Sequence, residues 1–124
     1  MAVDEDIRAA LDSQLLSWKG VSARRMFGGV AYTVDRRMFA VLMEGAVGLK
    51  LPDQLRDRAL GLAGVSPFRS PSGGSFGEWV QLVLLLADDV PSVTPWLEAA
   101  FDYVGSLPAS KRRRRRAVTE REGR

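Results

Sequence analysis

Apolar residues recur along the chain with two distinct periods. In residues 4–19, Ile7, Leu11, Leu15 and Trp18 follow one another at steps of four, four and three, the spacing of one helical face. Asp4 suits the cap of that helix, Glu5 and Asp6 suit the positive end of its dipole, and Val3 suits a hydrophobic staple. Gly20 stands where a left-handed closing residue is wanted. From Val21 to Leu51 the period drops to two. Val30, Tyr32 and Val34 fall on one side, Ala31 and Thr33 on the other, and two-residue breaks at Asp35-Arg36 and Glu44-Gly45 divide the run into hairpins. Gly45 fits a turn needing positive φ. Arg36 does not, and is expected to cost about 1 kcal/mol there.

A short helix is predicted from Pro52-Asp53 to Ala63, closed by Gly64. Residues 65–77, rich in Pro and Gly, read as loop with room for a short strand around Phe68. Glu78–Leu86 is apolar on both faces except at Gln81, the pattern of an interior strand. Thr94-Pro95 reads as cap and first residue of a last helix carrying Trp96, Leu97, Ala100, Phe101 and Val104. The order is helix, three or four strands, helix, one or two strands, helix. Hairpins with the helices gathered on one side make an α+β two-layer sandwich around an antiparallel sheet. Trp18, Trp79 and Trp96 are assigned to the core. If one sheet face is left uncovered, aromatic residues on it would mark a dimer or partner surface.

Composition narrows the chemistry. The 124 residues contain neither His nor Cys. That excludes imidazole bases, Ser-His-Asp triads, thiolate nucleophiles, disulfides and the usual zinc and iron–sulfur sites. The expectation is a protein that is not an enzyme and has no cofactor. The net charge of +3 conceals an asymmetry. Residues 111–124 hold eight basic and two acidic groups, a net of +6, leaving ten basic and thirteen acidic groups, net −3, on residues 1–110. Residues 1–108 are therefore read as the folded domain and 109–124 as a disordered basic tail. Lys111, Arg112, Arg113, Arg114, Arg115 and Arg116 could neutralise phosphates of nucleic acid without sequence preference. Within that run no aromatic residue is available to stack on a base. Arg24, Arg25, Arg36 and Arg37 are further candidate cations. The acids Asp4, Glu5 and Asp6 do not fit a signal peptide, and no apolar run nears the ~18 residues of a membrane span, so a cytoplasmic protein is expected.

Other motifs read as structural. Gly28-Gly29 and Gly73-Gly74 lack the Lys-Ser/Thr and helix that a phosphate loop requires, and are assigned to turns or close backbone approaches. Asp88 and Asp89, adjacent at a strand end, point apart rather than converging on a substrate.

The segment Arg24-Arg25-Met26-Phe27-Gly28-Gly29-Val30-Ala31-Tyr32, followed by Met38-Phe39-Ala40, Leu49-Lys50, Phe68, Trp79–Leu85 and Trp96, resembles the TfoX/Sxy N-terminal domain family over residues 5–105. Arg24, Arg25, Met26, Phe27, Gly28 and Gly29 carry the family motif. The resemblance implies a two-layer domain of α-β-β-β-α-β-β-α type. It also implies regulation of competence genes in bacteria, as a co-activator working with a cyclic-AMP receptor-type transcription factor. Full-length relatives carry a second domain, for which this chain has no room, so a stand-alone member is expected. No catalytic or ligand residues are carried over from the family. Asp35-Arg36 departs from the Asp-Gly common in relatives. The leading reading is a regulatory protein-interaction domain with a protein partner, possible self-association as a homodimer and no membrane. The alternative is a small nucleic-acid-binding protein acting through its arginine tail.

Overall fold

The computed structural model describes residues 3–26, 28–69 and 75–107. Phe27, Ser70–Gly74 and 108–124 lie outside the described residues, and with them the candidate phosphate-binding run Lys111–Arg116. The chain runs α1 (Glu5–Leu15), β1 (Val21–Met26), β2 (Gly29–Val34), β3 (Arg37–Met43), β4 (Ala46–Lys50), α2 (Asp53–Leu60), β5 (Val65–Arg69), β6 (Ser75–Val83), a 3-10 turn at Ala87–Asp89 and α3 (Val90–Ser106). The strand count left open between three and four in the first run is four. All neighbours are antiparallel in the order β1-β2-β3-β4-β6-β5. The family resemblance implies three strands there; the fourth, β4, is the neighbour of β6 that joins the two halves of the sheet.

Asp4 caps α1 as expected, its Oδ1 accepting from the backbone N–H of Asp6 at 2.8 Å and Ile7 at 3.1 Å. Ile7, Leu11 and Leu15 form the buried stripe. The helix ends four residues short of the prediction. The Ser17 hydroxyl donates to the Gln14 carbonyl at 2.6 Å, and the chain tightens into turn bonds from Trp18 N–H to Leu15 and from Val21 N–H to Trp18. Trp18 is thereby freed to tilt against Phe101, ring centroids 5.0 Å apart, beside Phe39. Gly20 does take positive φ, +82°, but at the entry to β1 rather than as the helix cap.

α2 is also shorter than predicted, with Gly61 rather than Gly64 as its C-cap, and it buries only Ala59. α3 begins at Val90, four residues before the predicted Thr94 cap, and Pro95 lies inside it. Pro91 in the first turn needs no hydrogen-bond acceptor and tolerates that place. The Thr94 hydroxyl, freed from capping, sits 3.0 Å from both the Val90 carbonyl oxygen and Gln14 Oε1, tying α3 to α1. β6 lies three residues earlier than predicted, between β4 and β5. The short strand around Phe68 forms as edge strand β5, where Pro67 costs no interior ladder bond.

The Asp35-Arg36 turn has φ of +53° and +69°, the geometry of a primed hairpin turn, which favours glycine at its second position. Arg36 is exposed. Arg36→Gly is expected to stabilise the fold by roughly 0.5–1 kcal/mol, read as a higher urea midpoint at unchanged slope.

The main core lies between the helices and one sheet face. Ile7, Leu11, Tyr32, Phe39, Leu42, Leu49, Val80, Leu84, Leu97 and Val104 are all buried in it. A shift in register between Tyr32 and Thr33 pairs Tyr32 with Ala40 and Thr33 with Met38. Phe39 is left as the extra residue, and both Phe39 and Ala40 turn inward.

Candidate interaction surface

The helices cover one face of the sheet, and among the described residues a separate cluster occupies the other. Ala31, Val41, Phe68 and Trp79 are buried in it, with Met26, Met38 and Met43 packed around them. The register explains the grouping. Arg24 lies opposite Ala31, Ala31 opposite Val41, Val41 opposite Gly48 and Gly48 opposite Gln81, so these residues share the outer face. Gly48 is required there because a Cβ would stand 2.7 Å from two ring carbons of Phe68. With no side chain at Gly48 of β4, the Phe68 ring reaches across β6 to rest on the sheet, its centroid 5.6 Å from that of Trp79.

Trp79 is thus buried as expected, but on the face opposite Trp18 and Trp96, which pack on the main core. Three of the four methionines in the chain lie in this outer cluster. Their unbranched thioethers adapt to irregular partners more readily than branched side chains do. Beside them, Met43, Ala46 and Val83 form the next row. Leu82 and Leu84 point into the main core, while Val83 and Leu85 are 53% and 62% exposed. The apolar pattern of Glu78–Leu86 on both faces therefore has two causes, one face packed on the main core and the other buried at Trp79 and exposed at Val83 and Leu85. This Met-rich stretch was accessible to parity counting only once strand order was known.

The candidate cations are dispersed. Arg24 and Arg25 are exposed on edge strand β1, on opposite faces as alternation requires. Neither side chain makes a hydrogen bond or ion pair with a described residue. Arg36 stands at the opposite end of the β1–β2 hairpin. Arg37 is structural. Its side chain is only 11% exposed, it lies 3.9 Å from Asp35, and it donates to the Leu107 carbonyl at the end of α3. Lys50 pairs with Glu78 at 3.4 Å. Of the family motif, Met26 joins the outer cluster, Gly28 takes φ of +76°, and Gly29 is pressed against β3.

Among the described residues, two concavities flank the sheet. A shallow apolar groove lies between Leu62, Gly64, Val83, Val93 and Trp96. A more polar one is lined by Asp53, Gln54, Glu78 and Tyr103. There burial, then the Glu78 and Asp53 carboxylates, raise the Tyr103 hydroxyl pKa above its usual value, with Arg56 opposing. Each of these carboxylates already has a cation, Lys50 for Glu78 and Arg56 for Asp53. No group of three or more acidic residues is gathered as for a metal ion among the described residues. Asp89 accepts from the Leu86 backbone N–H at 3.3 Å, a structural use of the Asp88-Asp89 pair. Among the described residues no helix is long and apolar enough to cross a membrane.

A search of curated proteins finds no match. The profile of the TfoX N-terminal domain matches residues 13–103, spanning the last three residues of α1, the whole sheet and most of α3. With that match over most of its length, and with the Met-Phe-Gly-Gly motif at the first hairpin, the chain belongs to the TfoX N-terminal domain family.

Proposed function

We propose that this chain is a non-enzymatic docking domain of a transcription regulator, working in the cytoplasm on a protein partner. The partner favoured by the family resemblance is a cyclic-AMP receptor-type transcription factor. The observation that carries the reading is the sheet face away from the helices, where half-buried Met26, Met38 and Met43, packed on the buried Phe68 and Trp79, adjoin the exposed Val83 and Leu85. Exposed aliphatic residues beside accessible methionine, on a firm aromatic floor, suit the apolar part of an interface. The absence of His and Cys from the sequence leaves few groups for general acid–base or nucleophilic chemistry.

The second reading is direct binding of nucleic acid through Lys111–Arg116, favoured by the net charge of +6 on residues 111–124. Six adjacent cations would give affinity falling steeply with salt and little dependence on sequence. One titration separates the two. Purified chain is mixed with the transcription factor from its host, and separately with duplex DNA, at several salt concentrations. Docking through the sheet face predicts that Val83→Lys with Leu85→Lys weakens the protein complex at least tenfold. These positions are exposed, so thermal stability should hold. Replacing Lys111–Arg116 by glutamine should abolish salt-sensitive DNA binding if the second reading is right. A protein complex indifferent to the lysine pair would refute docking through this face.

A further inference from the structure

We infer that β1 is an acceptor edge for an extended acidic segment of a partner protein, which adds to the sheet as a seventh strand. This inference goes beyond the docking face, since it concerns the sheet's edge and a different chemistry.

A sheet has two edges, and here they differ. β5 contains Pro67, which has no N–H, and its pairing with β6 is irregular between Pro67 and Arg69. Both devices blunt an edge against strand addition. β1 has neither. Its six residues contain no proline, and they pair with β2 in unbroken register from Val21↔Val34 to Met26↔Gly29. Met26, Arg24 and Ser22 lie at the positions that bond inward to β2, since Met26 and Gly29 close a two-residue connection. Ala23 and Arg25 then direct their N–H and C=O groups away from the sheet, while the Val21 N–H on that side is already bonded to the Trp18 carbonyl. That row is what an added strand uses for its main-chain hydrogen bonds.

Charge selects the occupant. Arg24 projects on the outer face and Arg25 on the helix side, so two exposed guanidiniums straddle the edge with no acidic partner among the described residues. A strand carrying two adjacent carboxylates would place one on each face, opposite one arginine each, where cross-strand pairs interact. A second copy of β1 would bring four guanidiniums to one seam and be repelled. The chain's own adjacent acids are already used, Asp4-Glu5-Asp6 at the start of α1 and Asp88-Asp89 in the 3-10 turn. The acidic strand therefore comes from another protein.

The test uses the full chain and two labelled seven-residue peptides, Thr-Val-Asp-Glu-Val-Thr-Val and the same peptide with Lys-Lys at its centre. Binding is read by fluorescence anisotropy and by amide hydrogen exchange. The acidic peptide should bind and the lysine peptide should not, with slowed exchange at Ala23 and Arg25. Ala23→Pro removes an outward N–H without touching the β2 ladder, and should weaken binding at least tenfold. The charge swap Arg24→Glu with Arg25→Glu should do the same and transfer preference to the lysine peptide. Every variant keeps Lys111–Arg116, so folded Ala23→Pro protein that binds as tightly as wild type would assign the peptide to the tail and overturn the inference. Should that variant not fold, unchanged exchange at the Ala23 and Arg25 amides of the wild type, or a charge swap without effect, overturns it instead. Loss of the edge would leave the sheet-face lysine pair's effect on the transcription factor unaltered, so the two readings fail separately.

Discussion

Gly29→Ala is expected to destabilise the domain by at least ~3 kcal/mol, the upper range of overpacking. A Cβ on Gly29 would lie 2.1 Å from the Leu42 carbonyl oxygen and 3.2 Å from its carbon. Both are backbone atoms of β3, so no rotamer change relieves the clash. β2 must move away from β3, and the ladder that joins them carries Ala31, Val41 and the outer cluster. The preceding residue gives the control. Gly28 takes φ of +76°, yet nothing lies within 4 Å of its added Cβ, so Gly28→Ala should cost only about 1 kcal/mol, the strain of a left-handed alanine. Urea denaturation of both variants measures the difference. Since a small domain has about 5–15 kcal/mol in total, Gly29→Ala should also lose outer-face binding at physiological temperature before Gly28→Ala does. Equal costs for the two variants would refute the close approach of the strands.

These two neighbouring glycines illustrate what a sequence exposes and what it conceals. Their presence between β-rich runs announces a turn or a close approach; which glycine serves which need is decided by a strand distant in sequence. The same division runs through the fold. Asp4 and the Ile7-Leu11-Leu15 stripe specify α1 locally, because the cap and the periodicity lie within one segment. The breaks at Asp35-Arg36 and Glu44-Gly45 specify hairpins for the same reason. Thr94-Pro95 misled because a valid local cap competes with an earlier start at Val90, whose burial in the main core decides the matter. Phe39 could not be placed by parity, since the register shift beside Tyr32 reverses its side.

The candidate surface was legible only in outline. The requirement of an uncovered face with aromatics on it follows from one-sided helices, but its members come from five strands. Met26, Met38 and Met43 meet Phe68 and Trp79 only because β6 inserts between β4 and β5. That insertion is a long-range pairing with no local signature. Arg24 and Arg25 were visible as misfit charges in a strand; that the strand is an edge, and the cations unpaired, is a property of the assembled sheet.

Tyr32 provides the other large effect, and it appears only at alkaline pH. The residue is fully buried in the sheet, with its hydroxyl donating to Asp12 Oδ1 at 2.7 Å. Asp12 is in turn held by Arg8, 3.3 Å away on the same helix. Burial first, then the hydrogen bond to Asp12 and its negative charge, push the Tyr32 pKa well above its ordinary value, against a smaller opposing pull from Arg8. The folded state therefore keeps a proton that the unfolded chain releases near pH 10. The stabilisation is complete below that pH and is lost as pH rises above it, at up to ~1.4 kcal/mol per pH unit. Tyr32→Phe removes both the hydrogen bond and the titration. At pH 7 it should cost about 1 kcal/mol, because Asp12 is partly exposed and stays solvated. Above pH ~10 the wild type should fall while the variant is spared this loss. The two stability curves should cross between about pH 10.5 and 11.5. Urea melts at half-unit intervals from pH 8 to 12 locate the crossing, and absorbance near 295 nm should show the Tyr32 phenolate appearing only with unfolding. Curves that stay parallel through pH 12 would mean that the hydroxyl reaches solvent and that α1 is not pinned to the sheet by this bond.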